Sequence, residues 1–107
     1  IIDLGNKQSI KSLGLGCLTD QNKWIFYPKS VEFLVSNDGV TFKRIGILEE
    51  SEFADEPGAR VKNYSMNFKG VKARYIQVIA ESLGDCPEWH RGVGGQAWIF
   101  ADEIVIN

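Results

Sequence analysis

The sequence predicts an all-β sandwich, and three observations carry that prediction. Apolar and polar side chains alternate with period two in residues 10–18, 31–35, 40–45, 64–68, 75–80 and 98–106. No stretch places apolar residues at i, i+3, i+4 and i+7 over three turns, so no long helix is expected. Turn formers separate the alternating runs, most clearly Asn37-Asp38-Gly39. With 107 residues and 44% hydrophobic content, the chain can build one core. Residues 1–107 therefore read as a single domain of packed antiparallel layers.

Taken in order, the chain opens on Ile1-Ile2-Asp3-Leu4-Gly5, which reads as the middle of a strand in an excised piece of something longer. Residues 10–18 alternate imperfectly through Ile10, Leu13, Leu15 and Cys17, with glycines where a strand can bend. The next element is a hairpin. Val31, Phe33 and Val35 share one face, Asn37–Gly39 turn the chain, and Val40, Phe42 and Ile45 return it. Residues 48–60 are acidic and broken by Pro57-Gly58, as a surface connection would be. Tyr64, Met66 and Phe68 form the face of one strand. Ile76, Val78 and Ala80 form the face of another. The last strand is expected to hold Trp98, Phe100, Ile104 and Ile106 on one side.

Two segments refuse this alternation, residues 19–28 and 82–97. The second contains the only histidine and a cluster of glycines. Loops at the ends of a sandwich are where function gathers, so any site is expected there.

Several function classes fit the residues poorly. The net charge is -2, and Lys69, Lys72 and Arg74 are diluted by apolar neighbours, so no nucleic-acid partner is expected. No apolar run approaches the roughly 20 residues of a membrane span, so no membrane insertion is expected. Cys86 and His90 lie four apart, yet a nucleophilic pair needs an orienting partner and a lowered thiol pKa, and neither is signalled. Asp102 and Glu103 are adjacent on a strand and face opposite ways, which rules out a carboxylate dyad. Asp102 reads instead as an acceptor pinning loop backbone to the last strand. Asp20, Asp85 and Glu88 can meet across the loops but suit turns and solvated surface. Cys17 and Cys86 are either a disulfide closing a loop of about 70 residues, worth roughly 4 kcal/mol, or two small buried thiols. The domain is expected to be non-catalytic.

The loop residues suit a sugar better. A pyranose has an apolar face for an aromatic ring and a rim of hydroxyls for planar donors and acceptors. Trp89 supplies a ring, although it equally suits the plug of a loop core. Asp20, Gln21, Asn22, His90 and Arg91 supply hydrogen-bonding groups, and Gly92, Gly94 and Gly95 let the backbone approach a ligand. Trp24 is expected partly beneath the loop.

The hairpin Tyr27–Phe42, the strand Ala73–Ala80 and the terminal Trp98–Ile104 together resemble the discoidin-like, coagulation-factor type C domain. Among its galactose-binding-like, family 32-type carbohydrate-binding modules, residues 18–33 with 86–104 are similar to modules at the C-terminus of gut Bacteroides chitobiases and β-hexosaminidases. The resemblance implies a jelly-roll sandwich, here lacking its N-terminal strand or strands, with the first strand exposed at an edge. It implies glycans as ligands, a parent glycoside hydrolase as partner, a monomer, and a periplasmic, cell-surface or secreted location. Sugar would be held by Trp89, His90, Arg91, Asp20, Gln21, Asn22 and Trp24. No cofactor is required. A structural calcium in the complete domain would draw on Glu103. The competing expectation is a docking domain that packs on the parent hydrolase without a ligand of its own.

Overall fold

The computed structural model describes residues 1–21, 24–50, 58–84, 86 and 95–107, the side chains of Phe100 and Asp102 excepted. It contains five strands: β1 (Ile2–Asp20), β2 (Ser30–Ser36), β3 (Lys43–Glu49), β4 (Ala59–Glu81) and β5 (Phe100–Ile106). All pair antiparallel, in the order β3-β2-β4-β1-β5. The chain is all-β, consistent with the jelly-roll fold.

One hydrogen-bonded sheet becomes two layers because its longest pair turns a corner. Ile10 opposes Val71 and Ser12 opposes Asn67, so residues 68–70 of β4 pass around Lys11 of β1. Gly70 takes φ +74 at that point, a conformation an L side chain rarely adopts. Bulges of this kind let strands change layer. Beyond the corner, residues 75–81 of β4 pair with β2, while residues 59–67 pair with the second half of β1.

The core fills the space between the layers. Val31, Phe33 and Ile76 come from one side, and Leu13, Leu15, Cys17 and Tyr64 come from the other. Rings cross the gap edge to face. Phe33 meets Phe68 at 6.3 Å between centroids, and Tyr27 meets Tyr64 at 6.1 Å. Gly46 of β3 lies so close to the opposite layer that a Cβ there would stand 2.7 Å from the Met66 sulfur. The fully buried aliphatic and aromatic side chains each contribute about 1.5–3 kcal/mol.

A polar contact joins the layers beside this core. The Tyr64 hydroxyl donates to Glu50 Oε1 at 3.1 Å, and Lys62 pairs with the same carboxylate while lying over the Tyr27 and Tyr64 rings. Burial, then the Glu50 charge, pushes the Tyr64 phenol above its usual range.

The structure corrects the sequence reading in four places. Residues 64–68 and 75–80 belong to one strand, because the Gly70 corner bends β4 without ending it. The hairpin turn spans residues 37–42, and Val40 sits there at 83% exposure instead of returning along β3. The reason is local: Asp38 accepts the Val40 and Thr41 amides, while Ser36 Oγ accepts those of Asp38 and Gly39. The acidic connection is shorter than residues 48–60, since β3 runs to Glu49 and β4 begins at Ala59. Finally, β1 is an edge only along its first half, because β5 covers residues 13–18.

Two predictions follow from these contacts. Gly70→Ala should cost about 1–2 kcal/mol in urea unfolding, because the corner forces a left-handed residue. Unchanged stability would mean that the corner does not depend on glycine. The second concerns pH. The Thr41 and Val40 amides, with Ser36, hold the Asp38 carboxyl down to about 2, and Arg74 with the Gly5 amide does the same for Asp3. A lowered folded pKa stabilises above the unfolded value of 3.8 and loses that stability as pH falls through about 2. Carboxyl-carbon NMR should give midpoints near 2 for both groups, and midpoints at the usual value would refute the two contacts.

Candidate ligand-binding end of the sandwich

Strand register sets which loops meet. Ser30 opposes both Glu49 and Glu81, and Asp20 opposes Ala59. Residues 21–29, 50–58 and 82–99 therefore leave the sheet at one end.

The first of these loops is a tight hairpin. Asp20 and Ile25 exchange both backbone hydrogen bonds, at 2.8 and 3.0 Å, and Thr19 Oγ1 donates to the Ile25 carbonyl at 3.1 Å. The Trp24 amide closes the turn onto the Gln21 carbonyl at 3.1 Å. Trp24 itself takes φ +63, a left-handed conformation that is an outlier for a bulky side chain.

The last loop is built as a stem. The Ala97 amide donates to the Gly84 carbonyl at 2.7 Å, and the Cys86 amide to the Gly95 carbonyl at 2.9 Å. Ser82 Oγ ties both sides, donating to the Ala97 carbonyl and accepting from the Gly84 amide. Two further bonds join stem to hairpin. The Trp98 amide donates to the Trp24 carbonyl at 2.8 Å, and the Phe26 amide to the Trp98 carbonyl at 3.0 Å. Beneath them Phe26, Cys86 and Ala97 form a small core of their own, with Trp24 and Leu83 packed against it. The described parts of the two segments that refused the strand pattern are thus joined.

The expected site residues fall as follows. Asp20 is half-buried at the end of β1, Gln21 is buried, and Trp24 lies against the small core. Asn22, Trp89, His90 and Arg91 lie outside the described residues, as does the side chain of Asp102 with its expected loop contact. Cys86 and Gly95, which bracket the Trp89 segment, are held 2.9 Å apart at N and O. Cys17 and Cys86 are both buried, in two different clusters. Glu103 is exposed on β5 opposite Gly16, and among the described residues no group of three or more acids, histidines or cysteines is placed to hold a metal.

One aromatic residue was misread. Trp98 does not share a core face with Ile106; it precedes β5 and is 65% exposed, and Ile104, expected on the same side, is 41% exposed. A bulge explains this, because Gly16 opposes Glu103 whereas Cys17 opposes Ala101, and side-chain parity reverses between them. The available signal was Ala97, whose small side chain fits the crowded space under the loop and sends its bulky neighbour outward.

Beside this end, Lys29, Ser30, Glu32, Ile47, Glu49, Glu50 and Glu81 line an open cleft of about 340 Å³. Lys29 bridges Glu81 at 3.3 Å there. Among the described residues no helix is long and apolar enough to cross a membrane.

No curated protein matches the chain. The family described as the F5/8 type C domain matches residues 1–100, nearly the whole length. With that match, and with an antiparallel sheet folded into layers that gather their loops at one end, the chain belongs to the F5/8 type C domain family.

Proposed function

We propose that this domain is a carbohydrate-binding module appended to a glycoside hydrolase, holding that enzyme near glycans of N-acetylhexosamine or galactose type. Domains of this family are generally non-catalytic and typically bind carbohydrate or protein ligands. The observation that carries the reading is the shared scaffold of the two loops. Backbone bonds from Trp24 to Trp98 and from Cys86 to Gly95 bring a carboxylate, a buried amide and aromatic side chains to one end. Side chains whose backbone is already hydrogen-bonded bind small polar ligands at lower entropic cost than ones ordered on contact. On the resemblance read in residues 18–33 and 86–104, the proposed parent is a β-N-acetylhexosaminidase, in a periplasmic, cell-surface or secreted setting. Tethering would then act by raising local substrate concentration. In this reading Trp89 stacks, and His90, Arg91, Asp20, Gln21 and Asn22 read the hydroxyls, with Trp24 supporting them.

The second reading, a docking domain on the parent hydrolase, is favoured by exposed Ile104 and Val105 on edge strand β5.

An NMR titration with N-acetylglucosamine, N-acetylgalactosamine, galactose and chitobiose separates the two. Saturable shifts confined to residues 19–25 and 84–98 are expected. No shift at about 50 mM sugar, well above a millimolar dissociation constant, would overturn the carbohydrate reading.

A further inference from the structure

The backbone ladder at the loop end aligns three side chains that the family match does not connect. Residues directly opposite one another in a bridge share a face. Asp20 opposes Ile25 in an antiparallel bridge, and Ile25 opposes Trp98 in a parallel one. Asp20, Ile25 and Trp98 therefore stand side by side on the outer face, about 5 Å from one to the next. Their chain neighbours Thr19, Phe26 and Ala97 are buried, as that alternation requires. The next row of the same face is Val61 opposite Leu18, with Val61 59% exposed.

We propose that this row is a subsite for a neutral hexopyranose, with Trp98 as its stacking platform. The inference rests on the carbohydrate reading and deepens it. Tryptophan ordinarily gives most of its surface to a core, yet Trp98 leaves 65% of its own in solvent. It is not exposed through looseness, since its amide and carbonyl are both bonded to the first hairpin. The backbone that aims it includes a left-handed Trp24, and strain of this kind collects at binding sites. An apolar strip ending in a carboxylate matches the chemistry of a sugar: the C–H face lies on Trp98 and Ile25, and hydroxyls donate to Asp20.

The test uses the whole chain, with the Trp98 indole N–H signal identified by its loss in Trp98→Ala. N-acetylglucosamine and galactose are the probes, with binding followed by chemical shift. The expected result is a saturable shift of the Trp98 indole with a neutral sugar. Trp98→Ala should weaken binding about tenfold with the remaining spectrum unchanged, and Trp98→Phe should recover part of the loss. Asp20→Ala should also weaken binding, because an acceptor at the end of the strip is lost. Sugar-dependent shifts at residues 84–95 that leave Trp98 untouched, with full affinity in Trp98→Ala, would overturn the subsite and spare the carbohydrate reading. Absence of any shift with every sugar would overturn both.

Discussion

Everything in this fold depends on β1 and β4 staying paired while they turn a corner together. Had the pair run straight, the sheet would have left one broad apolar face in water. Because residues 68–70 pass around Lys11 at the Gly70 corner, the two halves of the same sheet face each other. The inward residues then interdigitate, Phe33 against Phe68 and Tyr27 against Tyr64. The corner also has a positional consequence. By folding β4 back, it returns Glu81 to the level of Ser30 and Glu49, and brings Ala59 to Asp20. Three loops that are distant in sequence thereby leave from one end.

That end has its own cohesion. A loop assembly without a core would rely on the main sheet for order, whereas here Phe26, Cys86 and Ala97 bury one another beneath Trp24 and Leu83. The polar contacts of Tyr64, Lys62 and Glu50 sit close by, where the Glu50 amide also bonds the Lys29 carbonyl. Removing Glu50 would take a buried phenol's acceptor and a lysine's partner together. The ordering is therefore layered: corner, main core, small core, and then the side chains that face outward from the ladder.

Much of this was legible in the sequence, and the failures have physical causes. Alternation correctly assigned Val31, Phe33, Tyr64, Met66, Ile76 and Val78 to the interior, because burial on one face of a strand leaves a period-two trace. Where backbone geometry breaks the period, the trace misleads. Gly70 punctuates the sequence like a turn but bends a continuous strand. Asp38 builds a longer turn than its Asn-Gly neighbours suggest, because its carboxylate captures two amides. At the bulge between Glu103 and Ala101 the parity reverses, and that reversal put Trp98 on the wrong face. At the candidate site, the meeting of residues 19–28 with 82–97 was legible from their shared departure from the strand pattern. The Asp20–Ile25–Trp98 row was not, since bridges outside regular strands leave no periodic signal.

The central claim is that the Trp24–Trp98–Phe26 ladder joins the bases of the two loops. Native-state hydrogen exchange at the Phe26, Ala97 and Trp98 amides tests it most directly, read against strand amides such as Leu15 and Phe33. The account predicts protection at all three, well above the rate of an open chain and lost together in denaturant. Exchange of those amides at open-chain rates, with β1 and β2 fully protected, would contradict it.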